Sequence, residues 1–178
     1  MGIMLFMRNL VLIGMPASGK STIGVLLAKT LGMDFVDTDL LIQKSQNSLL
    51  QDILHKEGIK RFIQIEEETV TKLDCNNCVI ATGGSVVYGE KAMEHLKQNG
   101  IIIYLDTGFE EIRRRLTNIT TRGVVMGKGQ DLYSLFAERT PLYRKYADIT
   151  VNCSGKEIET IVSEITETVK GCNCRQNG

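Results

Sequence analysis

Eight residues near the start of the chain, Gly14-Met15-Pro16-Ala17-Ser18-Gly19-Lys20-Ser21, have the types and spacing of a loop that binds phosphate with its own backbone. They match G-x-x-x-x-G-K-[ST]. Gly14 and Gly19 permit backbone angles that a side chain would block. The intervening N–H groups can then turn inward as a nest, at the positive end of a following helix. Lys20 is spaced to reach the outer phosphates of a nucleotide, and the Ser21 hydroxyl to ligate Mg²⁺. Further on stand two carboxylates, Asp37 and Asp39, expected to alternate to one side of an extended chain. Beside a phosphate loop, such a pair suits one contact to Mg²⁺, directly or through water, and one to a substrate hydroxyl. Thr38 or Asp39 can also cap the next helix.

Strands and helices must hold these groups in place. Residues 9–13, NLVLI, are an apolar run of the kind found in a buried strand, and Ile23, Leu26, Leu27 and Leu31 recur at helical spacing. Strand, loop and helix therefore come in the order a phosphate loop needs, a context that favours it over a chance glycine turn between strand and helix. Residues 33–39 read as a second strand, and ligands of open α/β sheets lie beyond the carboxyl ends of the strands. Residues 43–56 look helical with a break near Asn47-Ser48, and Gly58 opens a helix to Leu73. Ile59, Phe62, Ile63, Val70 and Leu73 share its broad apolar face, and Glu66, Glu67 and Glu68 read as a solvated acidic patch. Val79-Ile80-Ala81-Thr82 is a third strand, and Gly83-Gly84-Ser85 at its end suits close approach of backbone to a ligand. A helix is expected over 90–98, a strand over 101–105 and an arginine-rich helix over 109–116. Residues 117–130 contain three glycines, Arg122 and Lys128 without periodicity, the pattern of a lid. Residues 132–146 read as a helix that Pro141 should bend or interrupt. A strand over 149–151, a helix over 158–169 and a frayed end complete one domain spanning residues 1–178.

Composition narrows the classes. The 178 residues carry 21 Lys+Arg and 21 Asp+Glu, a formal net charge of zero, so neither a nucleic-acid surface nor a basic membrane helix is expected. The opening MGIMLFM is too short to span a bilayer and lacks the basic region of a signal peptide, and Met7 is an alternative start to Met1. Five cysteines, an odd number, fit reduced thiols in the cytoplasm. Cys75-x-x-Cys78 and Cys172-x-Cys174 have no nearby partner in His55 or His95, so a polar turn and a loose tail are expected rather than zinc.

Taken together, GMPASGKS, the Asp37-Thr38-Asp39 triplet, ATGGS at residues 81–85, Arg122, and ERTPLYRKYAD at residues 138–148 resemble the shikimate kinase family, a branch of the nucleoside-monophosphate-kinase-like P-loop fold. The resemblance implies a three-layer α/β P-loop kinase fold. Its five-stranded parallel sheet is flanked by helices, with a lid at about 117–130 and a substrate-binding helical region at about 40–73. It implies ATP and Mg²⁺, a small hydroxylated, carboxylated substrate, no nucleic acid, no membrane, and a cytoplasmic monomer. Gly14, Ala17, Ser18, Gly19, Lys20, Ser21 and Thr22 would cradle the nucleotide phosphates, with Ser21 and Asp37 at the metal. Arg115 is similar in spacing to the arginine that stacks on adenine, and Ser154 falls in the adenine-contacting loop. Arg122 resembles the lid arginine that reaches over the phosphates. Asp39 resembles the residue that binds the substrate hydroxyls and acts as base, Gly83, Gly84 and Ser85 line the substrate pocket, and Arg139 would bind the substrate carboxylate.

The chain departs from the family on the acceptor side. The family has F-R-x-x-E on the substrate helix; here Ile63 stands where the arginine is expected. Isoleucine has no donor, whereas a guanidinium can make a bidentate pair with a carboxylate. Lys60, one turn earlier, is a possible substitute, as a point charge rather than a fork. Ser85 replaces a third glycine, and the lid reads Arg122-Gly123-Val124-Val125 where the family has R-P-L-L. The expected reaction is in-line transfer of the γ-phosphoryl group of ATP to a hydroxyl of shikimate. Two alternatives are the same chemistry on another hydroxylated carboxylate, and a nucleotide-binding regulatory protein without turnover. No N-K-x-D guanine signature supports a GTPase.

Overall fold

The computed structural model describes residues 8–117, 124–126 and 129–175. Among them five strands form one parallel sheet: β1 (Asn9–Ile13), β2 (Asp34–Asp37), β3 (Cys78–Ala81), β4 (Gly100–Asp106) and β5 (Ile149–Asn152), in the order β2-β3-β1-β4-β5. The helices are α1 (Lys20–Leu31), α2 (Thr38–Gln46), α3 (Leu50–Thr71), α4 (Glu90–Gln98), α5 (Phe109–Thr117), α6 (Leu132–Tyr146) and α7 (Ile158–Arg175), with a short 3-10 turn at Val86–Tyr88. All five residues of β1 are buried, as expected of the central strand of a sheet covered on both faces. Its register sets Leu12 level with Ala81 of β3 and Ile13 level with Tyr104 of β4, while Asp37 of β2 lies level with Ala81. The carboxyl ends of the strands therefore emerge side by side.

Alternation along β1 divides the core between the two faces. Leu10 and Leu12 join Ile23 and Leu27 of α1 and Ile161 and Ile165 of α7. Val11 and Ile13 join Val70 of α3, Met93 of α4 and Tyr143 of α6. A third cluster lies apart from the sheet, where Ile42, Ile53, Phe62 and Ile65 of α2 and α3 close on Val125. Among the described residues no helix is long and apolar enough to cross a membrane.

Two local expectations, on the Asp37–Asp39 pair and on Glu66, are corrected. Asp37 and Asp39 do not alternate along one strand, because β2 ends at Asp37, whose Oδ1 accepts the Asp39 N–H at 3.0 Å and caps α2. The cap is thus Asp37 rather than Thr38 or Asp39, and Asp39 stands in the first helical turn. Gly58, expected to open a second helix, stands at φ 74° and ψ 169°, where two helices meet at a kink within α3. Pro141 lies within α6 without ending it, and Arg139, Thr140 and Tyr143 around it are buried against the body of the protein. Glu66 is not solvated: it is 1% exposed, since its position on α3 turns it inward with Phe62 and Val70.

Gly100 shows how closely α4 passes the sheet. A Cβ there would overlap the Leu96 carbonyl oxygen and lie 2.9 Å from Val11 Cγ2. Gly100→Ala is therefore expected to cost about 1–3 kcal/mol of stability through overpacking. Thermal unfolding should show a fall of roughly 2–4 °C per kcal/mol; an unchanged midpoint would contradict the tight crossing.

Candidate active site

The loop between β1 and α1 has the backbone that its sequence requires. Gly14, Ala17 and Gly19 take φ of 149°, 64° and 96°. At Gly14 the absence of a side chain is obligatory, because a Cβ would stand 2.9 Å from the Leu105 carbonyl oxygen. Gly19 is the N-cap of α1 and offers no side-chain cap, so the first helical N–H groups remain available to an anion. The buried Lys20 ammonium folds back along the loop and donates to the Gly14 and Met15 carbonyls, each at 2.8 Å. Ser21 and Thr22 are exposed at the helix start.

Beside the loop, Ser21 Oγ donates to Asp37 Oδ2 at 2.8 Å. A hydroxyl and a carboxylate oxygen this close are the hard donors that Mg²⁺ takes alongside phosphate and water oxygens. The residues present thus fit that ion. The loop opens into a cleft of about 320 Å³, at the small-molecule end of binding-site sizes. Ala17, Gly19, Lys20, Ser21 and Asp37 line one part. Asp39, Gly83, Gly84, Ser85 and Arg139 line another.

Contacts from several elements hold the second part in place. Thr82 ties the end of β3 to β1 by donating from Oγ1 to the Leu12 carbonyl at 2.9 Å, and the Gly83 N–H donates to Thr38 Oγ1 at 3.3 Å. Arg139, 1% exposed, donates from Nη2 to the Val125 carbonyl at 2.6 Å and from Nε to the Tyr88 hydroxyl at 3.2 Å. Its guanidinium lies 5.1 Å from the centre of the Tyr88 ring. Tyr88 in turn donates to Glu138. Tyr143 donates to the Gly84 carbonyl at 2.6 Å and stacks on Tyr104.

Glu66 is the group that sequence reasoning missed. Ser85 Oγ donates to its Oε2 at 2.5 Å, while Oε1 has no hydrogen-bond partner among the described residues. A Cβ built on Gly83 would collide with Glu66 Oε1 and stand 2.9 Å from Asp39 Oδ1, so the two carboxyl groups approach one point. Burial raises the Glu66 pKa from 4.5 to about 7; the Ser85 bond lowers it, the Asp39 charge raises it, and Arg139 and Lys20 lower it. Its spacing carried a usable signal, because Phe62, Glu66 and Val70 recur every four residues on the inward side of α3. Tyr143 stands within the ERTPLYRKYAD motif, four residues after Arg139, whereas Tyr88 had no comparable signal and is brought to the site by tertiary contacts.

The remaining sequence-derived residues lie elsewhere. Lys60 is exposed and Ile63 half-buried, and neither lines the cleft; Phe62 does. Arg115 pairs with Glu111 and donates to the Ala17 carbonyl at 3.1 Å, on the flank of the phosphate loop. Ser154 Oγ accepts the Gly108 N–H at 2.8 Å, and the Gly155 N–H donates to Glu111 at 3.2 Å. Arg122 lies outside the described residues, whereas Val124 and Val125 line the cleft.

Comparison with known proteins gives a consistent result. The family model for shikimate kinase matches residues 16–170. A shikimate kinase of Persephonella marina is 34% identical over 165 residues, covering 92% of this chain and 100% of that one. Shikimate kinase from Acinetobacter baumannii, solved in complex with shikimate, superposes with a TM-score of 0.86 at 30% identity, covering 93% of this chain and 94% of that one. The shikimate kinase of Aquifex aeolicus superposes at 0.76 with 33% identity, covering 93% of this chain and 98% of that one.

The raised Glu66 pKa has a consequence for stability. In the unfolded chain the group ionises near 4.5, and in the folded chain near 7. Between those values only the folded state holds the proton, so stability falls as pH rises through that window and levels off above it. Glu66→Gln lacks this loss. Its stability relative to the parent should rise by something on the order of 2–3 kcal/mol from pH 4.5 to 8, read by urea unfolding. Parallel curves for the two proteins would contradict a buried, proton-holding Glu66.

Proposed function

The chain belongs to the shikimate kinase family, and on that footing we propose that it transfers the γ-phosphoryl group of ATP to a hydroxyl of shikimate, with Mg²⁺ held between Ser21 and Asp37. One observation carries the reading: the phosphate loop with Lys20, and Asp39 with Arg139, line a single cleft at the carboxyl edge of the sheet. In a phosphoryl transfer the protein mainly positions the reactants and neutralises charge. The loop N–H groups would hold the nucleotide phosphates. Lys20 would exchange its carbonyl partners for the outer phosphates. Mg²⁺ would offset the charge on the β- and γ-phosphoryl oxygens. Asp39 would orient the acceptor hydroxyl and take its proton as the new O–P bond forms and the bond from the γ-phosphorus to the leaving oxygen of ADP breaks. Arg139 would face the acceptor carboxylate, and the backbone at Gly83 and Gly84 would let the acceptor ring approach closely.

Four further assignments belong to this reading. The substrate-binding helical region at 40–73 is supported by Gln43, Leu50 and Phe62, which line the cleft. The lid at 117–130 is supported by Val125, whose side chain packs on that region and whose carbonyl accepts from Arg139. Arg115 and Ser154 are assigned to the adenine side. A cytoplasmic monomer fits a cleft furnished by one chain and the unpaired thiols of Cys75, Cys78 and Cys153.

Coupled ADP release with shikimate tests the proposal. Lys20→Ala should abolish turnover with the circular dichroism spectrum unchanged. Asp39→Asn should lower kcat by ~10²-fold or more if its carboxylate takes the proton. Parent-like turnover in Lys20→Ala would overturn the phosphate-loop assignment. An undiminished kcat with only an altered Mg²⁺ requirement in Asp39→Asn would move that residue from the acceptor to the metal.

A further inference from the structure

The Glu66 carboxyl has a place in the fold but no settled charge partner. It is buried behind Gly83 and Ser85, which line the cleft, and one of its oxygens accepts no hydrogen bond among the described residues. Ile63, one helical turn earlier on α3, supplies no donor. The groups facing Glu66 can be taken element by element. Asp39 comes from α2, Ser85 from the turn after β3, Arg139 from α6 and Lys20 from the start of α1. On α3 itself Glu67 turns away, accepting the Lys91 N–H at 3.2 Å. Of the two cations, Arg139 already donates to Val125 and Tyr88, and Lys20 to the loop carbonyls.

A carboxylate-bearing acceptor entering this cleft adds a negative charge to one that already contains Asp39. With Glu66 ionised as well, three carboxylates would share two partly committed cations around a buried group, where like charges repel strongly. A proton on Glu66 relieves this. It also turns Oε1 into a donor, beside Asp39 Oδ1 at the point where Gly83 has no side chain. We propose that Glu66 is a positioning residue of the acceptor site that is neutral when the acceptor is bound, so that a carboxylate-bearing acceptor enters together with a proton. Ser85 tunes this step, because its hydroxyl donates to Oε2 and favours the ionised form. The proposal deepens the phosphotransfer reading above and rests on it for the identity of the acceptor.

The test is the pH dependence of KM for shikimate between pH 6 and 9, with KM for ATP as the control. In the parent, KM for shikimate should rise above about pH 7, by up to tenfold per unit, while KM for ATP does not follow it. Glu66→Gln should remove the rise. Ser85→Ala, which removes a bond favouring the ionised form, should move the rise to higher pH. Calorimetry in buffers of different ionisation enthalpy should detect proton uptake on shikimate binding near pH 8 in the parent and none in Glu66→Gln. A flat profile in the parent, or the same rise in Glu66→Gln, overturns the proposal and leaves the kinase reading intact. Absence of turnover on shikimate at every pH refutes the acceptor assignment instead. Glu66 is then read directly, by the infrared band of a protonated carboxyl in the parent below pH 7 that Glu66→Gln lacks. Absence of that band overturns the proposal whatever the acceptor.

Discussion

A protein that binds phosphate with its own backbone must leave several N–H groups without internal partners and aim them at one point. Unpaired buried donors are costly, so the surrounding structure has to hold the loop in place. Here that is done by β1, buried along its whole length between β3 and β4, and by α1, which begins at Lys20 directly after the left-handed Gly19. The close approach of Gly14 to Leu105 ties the loop to the end of β4. The rest of the cleft follows from parallel pairing. The strands end on one edge, so Asp37, Thr82 and the glycines after it arrive next to the loop without any long-range device.

The two halves of the cleft solve their electrostatics differently. Around the β1–α1 loop, the Lys20 ammonium folds along the loop carbonyls and the Ser21 hydroxyl is paired with the Asp37 carboxylate. On the other side the charges are close to balanced and heavily committed. Arg139 supports the Val125 carbonyl and the Tyr88–Glu138 pair as well as facing the cleft. Ile63 and Ser85 change this half together: one withholds a guanidinium, and the other brings a hydroxyl that satisfies one oxygen of Glu66. The result is a small apolar and polar pocket in which the protonation of a single carboxyl decides how much negative charge the acceptor meets.

Legibility in the sequence followed the range of the interactions. The phosphate loop, β1 and α1 were readable because local spacing alone specifies them, and α6 was found with the bounds Leu132–Tyr146. Parallel sheet and family came from ordered motifs rather than from periodicity. Boundaries failed where one side chain decided them, as at Asp37, which caps α2 and so removes Asp39 from the strand. Pro141 does not interrupt α6, whose buried Arg139 and Tyr143 hold the helix on either side of it by tertiary contacts that no local rule contains. Glu66 was misread because acidic residues are usually solvated, although its fourfold spacing with Phe62 and Val70 pointed inward. Lys60 was a reasonable substitute for a missing cation by sequence distance, yet it lies exposed and does not line the cleft. Arg115 and the Gly155 N–H share Glu111, a partner that no motif named.

The central claim is that the phosphoryl group leaves ATP for the acceptor hydroxyl rather than for water. Phosphorus NMR of the protein with ATP, Mg²⁺ and shikimate tests it most directly. The account predicts a phosphomonoester resonance that grows one for one with ADP and is absent without shikimate. ADP accompanied only by inorganic phosphate, or ATP left unconsumed, would contradict it.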